Sequence, residues 1–166
     1  LHLIAPIFQT RLSTMIRTEN LSKSFFNNHV LQGITTEFLP GKTNLIIGRS
    51  GSGKTVLLKL LVGLLSPDEG NIYYDNVNFC RLDKKQVRTL RMEVGMLFQA
   101  SALFDSMSVE ENVRFPLDMF TNMTRKEKLN QVNFCLERVS LGGVNAKFPS
   151  EISGGMQKRV GIARAI

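Results

Sequence analysis

The chain has 166 residues, with Lys+Arg 21 against Asp+Glu 14, a formal net charge of +7 and a hydrophobic fraction of 43%. That is enough length and apolar content for one domain with a real core, and it excludes disordered, collagen-like and disulfide-built chains. The two cysteines, Cys80 and Cys135, lie far apart without metal-type spacing and read as reduced thiols.

The positive balance would suit nucleic acid or anionic headgroups, but the basic residues are scattered. Lys84, Lys85, Arg88 and Arg91 form one group and Arg125, Lys126 and Lys128 a second; Lys158, Arg159 and Arg164 follow later. The first two groups read as solvated helix faces. The most apolar stretch, Val56 to Leu65, is interrupted by Lys59 and falls well short of the roughly 20 apolar residues a membrane span requires. A membrane role therefore calls for another subunit to do the crossing. Residues 1–14 have neither the basic start nor the cleavage site of a signal peptide. They read as an upstream extension without regular structure, and a strand pattern starts at Met15-Ile16-Arg17. At the far end the helical pattern runs to Ile166 without a cap or breaker.

In chain order, Ile16 to Leu21 and Gly33 to Leu39 alternate as a half-buried antiparallel pair. Pro40-Gly41 marks a turn. Thr43 to Ile47 is short, apolar and β-branched, the pattern of a buried central strand, and it runs straight into the glycines of 48–53. A helix is expected over Lys54 to Leu65, with Val56, Leu57, Leu60, Leu61 and Leu64 at helical spacing. After a turn at Ser66 to Gly70 come a strand at Asn71 to Tyr74, a basic helix at Asp83 to Met92 and a short apolar strand at Val94 to Phe98. Ser108 with Glu111, and Thr124 with Glu127, have capping-box spacing at two further helix starts. The second of these helices carries a core stripe of Leu129, Val132, Leu136 and Val139. Strands mixed with helices in this order indicate an α/β domain with a partly parallel sheet.

The strongest chemical signal is Gly48-Arg49-Ser50-Gly51-Ser52-Gly53-Lys54-Thr55, a complete Walker A pattern between an apolar segment and a helix. Polyphosphate oxygens need many donors converging in a small volume. Glycines let successive backbone N–H groups point inward, and the helix adds its N-terminal dipole. Lys54 would reach the β- and γ-phosphates of ATP, and the Thr55 hydroxyl would be a Mg²⁺ ligand. The pattern alone leaves a kinase, a GTPase, a DNA-repair ATPase and a transporter ATPase open. The second signal is Ser153-Gly154-Gly155-Met156-Gln157, a serine and two glycines opening a helix near Met156. This is either a second anion-binding helix terminus or simply a loop and cap. One compact domain has no use for two γ-phosphate cradles, whereas a head-to-tail dimer does.

Together with Lys158 to Ala165, the Ser153 to Gln157 segment resembles the signature motif of ABC transporter ATPases, with Walker A upstream at the family's usual distance. The resemblance implies an α/β P-loop NTPase fold. It would have a mixed sheet, an antiparallel β-subdomain at the N-terminus, a RecA-like part over 15–99 and a helical subdomain over 100–166. It implies ATP and Mg²⁺ as ligands, with Gln99 as the Q-loop glutamine completing Mg²⁺ coordination. Phe25 matches the aromatic that stacks on adenine; a core role for Phe25, or Phe26 as the stacking ring, are the alternatives. Ser153, Gly154, Gly155, Met156 and Gln157 would serve a nucleotide held by a second copy. Further implied partners are a membrane permease, contacted by the segment Ala100 to Met107, and a peripheral place on the cytoplasmic face of the inner membrane. The family's Asp-Glu strand end, D-loop and switch histidine are not among these residues, since His2 and His29 lie far upstream. ATP turnover is therefore expected of the complete protein and not of these 166 residues alone. Gly95 to Val113, the Met after Ser-Gly-Gly and Phe115-Pro116-Leu117 look most like the bacterial Mla-type ATPases, which drive phospholipid movement with Mce-domain partners. A soluble ABC ATPase acting on nucleic acid or the ribosome, and an importer ATPase for small polar solutes, are the alternatives.

Overall fold

A computed structural model describes residues 14–92, 94–97 and 102–166. They fall into two compact units, one running to Glu93 and the other starting at Val94. Gln99, and all but the last residue of the expected 1–14 extension, lie outside the described residues.

In the first unit, β1 (Ile16–Phe25) and β2 (Asn28–Phe38) form an antiparallel pair, with Ile16 opposite Phe38 and Phe25 opposite Asn28. β3 (Glu69–Tyr74) pairs antiparallel with β1, and the short β4 (Val77–Asn78) with β3, giving the order β2-β1-β3-β4. Strict alternation would put Thr18 and Leu21 on opposite faces, yet both are fully buried. The register slips between them at Asn20, whose φ is 48° and whose N–H donates to Thr35 Oγ1 at 2.9 Å. Asparagine is among the few side chains that tolerate this left-handed region, and the bulge re-aims Leu21 inward. Gly70, with φ 83°, abuts the bulge. A Cβ there would lie 2.3 Å from the Asn20 carbonyl oxygen, so glycine is required.

α1 (Lys54–Leu61) buries Leu57, Leu60 and Leu61. It stops short of the expected Leu65 because Gly63 turns left-handed, φ 70°. Leu64 N–H then reaches Lys59 O at 2.8 Å and Gly63 N–H reaches Leu60 O at 3.0 Å, a Schellman ending. α2 (Lys84–Met92) buries none of its residues, but Arg91 is more than part of a solvated face. Its Nε donates to Val62 O at 3.3 Å and its Nη2 to Gly63 O. A cation thus covers the carbonyl end of α1, where the helix dipole favours it.

Two expected strands are not strands. Thr43 to Ile47 lies outside the sheet, with Leu45 78% and Ile47 83% exposed. Residues 94–97 are likewise irregular, and Phe98 is not among the described residues. Apolar, β-branched composition says how a segment behaves inside a sheet, but a buried strand also needs hydrogen-bonded neighbours. Among the described residues neither segment has one, and every pairing in the sheet is antiparallel.

The second unit packs α3 (Val109–Phe120), α4 (Arg125–Arg138) and α5 (Gly154–Ala165) around a core that includes Val109, Val113, Val132, Leu136, Leu141 and Val160. Each such side chain contributes about 1.5–3 kcal/mol of burial. Both capping boxes form: Ser108 Oγ accepts Glu111 N–H and Thr124 Oγ1 accepts Glu127 N–H, and each Glu carboxylate reaches back to its partner's N–H at 2.7 Å. On α4, Val132 and Leu136 are buried as the stripe requires, but Leu129 is 37% exposed and Cys135 is buried instead. The apolar stripe of a helix is covered only where a neighbour reaches it, and here burial starts one turn late.

Candidate functional site

The glycine segment forms an open loop between the irregular Thr43 to Ile47 segment and α1. Residues 48–52 are exposed, and Ser52 N–H closes a turn onto Arg49 O at 3.2 Å. Gly51 and Gly53 have φ of 78° and 88°, and Gly53 is the N-cap of α1. A Cβ on Gly53 would come within 2.9 Å of Leu31 Cδ2 and 3.1 Å of Val30 O, so the loop ends wedged against β2. One on Gly48 would lie 2.6 Å from Ser52 Oγ. Lys54 lies across the loop, its Nζ donating to Gly48 O at 2.9 Å and Arg49 O at 2.7 Å. Thr55 is exposed beside it, and the first turn of α1 carries no acidic residue. The lining offers backbone N–H groups, an ammonium and an uncompensated helix N-terminus, the donor set a polyphosphate needs. Among the described residues no group of three or more His, Cys, Asp or Glu could hold a metal. Among the described residues, Thr55 is the residue of the loop expected to offer an oxygen to a divalent ion.

Phe25 ends β1 with 40% of its surface exposed, which removes the core alternative for it. Lys23 Nζ stands 5.5 Å from its ring centroid and is held by Asp68 at 2.6 Å. That hydrogen bond, with one from Ser24 N–H, keeps the Asp68 carboxyl below its ordinary pKa. Phe26 is fully exposed in a left-handed turn, φ 52°.

In the second unit, Ser153 caps α5, its Oγ accepting Met156 N–H at 3.3 Å. The helix begins at Gly154, two residues before the expected Met156. Gly154 and Gly155 are exposed, and a Cβ on Gly154 would meet nothing within 4 Å. The neighbouring pair is engaged differently. Met156 packs against the helical core, and Gln157 Nε2 donates to Pro149 O at 2.8 Å. Their side chains anchor the helix start, while Ser153, Gly154 and Gly155 face solvent.

One residue escaped the sequence reasoning. Asn112, fully buried on α3, accepts Phe104 N–H at 2.8 Å. Its Nδ2 faces the carbonyls of Phe104, Met107 and Ser108 at 3.1, 3.0 and 3.0 Å. It fixes the loop that holds Phe104, which is half-exposed and meets Phe115 in a tilted contact with ring centroids 4.9 Å apart. The signal was a polar residue on the inward side of an amphipathic helix. From the end of α5, Arg164 Nη1 donates to Ala102 O at 2.8 Å, and burial lowers its pKa from the ordinary value.

A glycine loop opening α1 under a lysine, and a serine-capped Gly-Gly helix start in a separate helical unit, define the class: an α/β P-loop nucleotide-binding protein. The chain belongs to the ABC transporter family, which matches residues 31–166. It is 39% identical over 155 residues to the probable ribonucleotide transport ATP-binding protein mkl of Mycobacterium leprae, covering 93% of this chain and 45% of that protein. It is also 39% identical to the intermembrane phospholipid transport system ATP-binding protein MlaF of Haemophilus influenzae, covering 92% of this chain and 58% of that one. Among solved structures, a dimeric ATP-binding cassette in a post-hydrolysis state with ADP and Pi superposes with a TM-score of 0.82 at 30% identity, covering 91% of this chain and 68% of that one. The chain thus spans about half the length of these two curated relatives.

Proposed function

We propose that this chain is the nucleotide-binding part of a transporter ATPase that binds Mg-ATP in the 48–55 loop and, in the complete protein, hydrolyses it to drive a separate membrane permease moving phospholipid. The observation that carries the nucleotide reading is the exposed glycine loop at the N-terminus of α1, bridged by Lys54. Bound Mg-ATP supplies the phosphoanhydride whose binding and cleavage power the cycle. This chain's residues would bind and orient it. Lys54 exchanges the Gly48 and Arg49 carbonyls for phosphate oxygens, and the N–H groups of the loop surround them. Thr55 and Gln99 offer oxygens to the cation, and the open face of Phe25 receives the base. Ser153, Gly154 and Gly155 present a helix N-terminus to the nucleotide of a second copy in a head-to-tail dimer; Met156 and Gln157 hold that terminus in position. Phe104 and its loop are the proposed permease contact. In this proposal the permease does the crossing and the subunit is peripheral on the cytoplasmic face of the inner membrane; among the described residues no helix is long and apolar enough to cross a membrane.

The likeness to MlaF over 92% of the chain favours phospholipid as cargo, and the Mla-type resemblance of residues 95–113 adds a Mce-domain partner to the proposal; the name of the mycobacterial relative favours ribonucleotide instead. Two measurements separate the layers of this reading. Lys54→Ala should weaken Mg-ATP binding about ten- to 150-fold, from a charge-assisted contact of about 1.5–3 kcal/mol, and unchanged affinity would refute the nucleotide site. The complete protein with its permease in vesicles should move labelled phospholipid on ATP addition. Ribonucleotide uptake without lipid movement would overturn the cargo and leave the nucleotide site standing.

A further inference from the structure

α3 and α4 enclose an open pocket of about 350 Å³ lined by Arg114, Asp118, Arg125 and Lys128. We propose that this pocket is a second anion site, binding a phosphoryl group carried either by soluble phosphate or by a phospholipid headgroup. It lies wholly within the second unit and does not involve the 48–55 loop.

The lining has three cations and one carboxylate. Asp118 is shared, accepting Arg114 Nε and Lys128 Nζ, each at 2.9 Å, while Glu110 accepts Arg114 Nη1 at 3.1 Å. Burial alone would raise the Asp118 pKa, but the bonds from Lys128 and Arg114 prevail and hold it below its ordinary value, so this brace stays charged. The bonds fix both cations in place yet use only part of their donors, since a guanidinium has five N–H groups and an ammonium three. The side chains of Arg114 and Lys128 are 24% and 14% exposed, and the donors left over face an open pocket. The side chain of Arg125, in the first turn of α4, makes no hydrogen bond or ion pair with any described residue. A clamp between two helices accounts for Asp118 with Arg114 and Lys128; it does not account for Arg125. A tetrahedral phosphoryl group supplies the acceptors this lining lacks, and arginine is the side chain best shaped to receive it.

The test uses the full chain with labelled arginine side chains, so that binding at the glycine loop is not counted. Inorganic phosphate is titrated while the Arg114 and Arg125 Nε–H resonances are followed. In parallel, vesicles of phosphatidylcholine with or without phosphatidic acid are co-sedimented with the protein. Both resonances should shift saturably, and Arg125→Gln should weaken binding about tenfold, as read on Arg114. Lys84→Gln, the same charge change on α2, should leave the affinity unchanged. Saturable shifts without vesicle binding assign soluble phosphate. Sedimentation that needs phosphatidic acid and is lost in Arg125→Gln assigns the lipid headgroup. No saturable response to either probe, or equal weakening by Arg125→Gln and Lys84→Gln, would overturn the site and leave the cluster a helix clamp in a basic chain.

Discussion

Replacing Asn112 tests whether one buried amide holds the Phe104 loop. Its oxygen accepts one backbone N–H, and its Nδ2 has two hydrogens for the three carbonyls that face it. About three bonds are therefore lost in Asn112→Ala. At about 0.5–1.5 kcal/mol net for each, and with Phe104 exposed enough for water to replace some of them, the loss should be about 2–3 kcal/mol. Asn112→Asp keeps the size and the acceptor but turns a carboxylate toward the three carbonyls. It should be the more damaging change at neutral pH, because a buried charge then lacks donors. The introduced carboxyl would have a folded pKa above its unfolded value of about 3.9. Stability of that variant should therefore be highest below the unfolded pKa, fall as pH rises through the folded pKa, and stay low above it. Urea titration followed by far-UV circular dichroism measures this. With a slope of about 1–3 kcal/mol per M, the Ala variant's midpoint should drop by roughly 1–2 M. An unchanged midpoint in Asn112→Ala, or an Asp variant as stable as the Ala variant at neutral pH, would refute the reasoning.

Gly53→Ala should destabilise the first unit more than Gly51→Ala. Both positions have positive φ, but only at Gly53 does a Cβ crowd Leu31 and Val30, adding about 1–3 kcal/mol to the strain; equal shifts in urea midpoint would count against the wedge. Ser153→Arg in the complete protein should leave ATP binding by the monomer intact and block ATP-dependent dimerisation, read by sedimentation, whereas collapse of monomer binding would remove the trans role. Acid should loosen the helical unit. Bonds from the backbone N–H and hydroxyl of Ser108 hold the Glu111 carboxyl below its ordinary pKa of 4.5, and those of Thr124 do the same for Glu127. Their contribution is present above the unfolded pKa and disappears as pH falls through the folded values. Glu111→Gln should flatten that acid limb in a pH series of thermal melts, and an unchanged limb would exclude the capping boxes as its source.

What the residues determine by themselves is whatever depends on near neighbours in the chain. The two capping boxes, the glycine loop opening α1 and the serine cap of α5 all form as their spacing implies, because each is built from bonds spanning a few residues. The antiparallel pairing of β1 with β2 is legible for a similar reason, since alternation and a tight connection favour it. Tertiary structure decides the rest. Thr43 to Ile47 has the composition of a central strand, but strand identity depends on hydrogen-bonding neighbours that a local pattern does not contain. Leu129 has the right period to be buried, yet burial depends on how far a packed helix reaches. Gln157 reads as a nucleotide-serving signature residue and Arg91 as part of a solvated face until the fold places Pro149 O within reach of one and the carbonyl end of α1 against the other. Arg125 and Lys128 belong to one basic stretch of the sequence, whereas Arg114 stands alone among acidic and apolar residues upstream of it. Only the packing of α3 against α4 brings them to one pocket, because the meeting of side chains 11 to 14 positions apart is set by the angle and register of two helices and not by either helix alone.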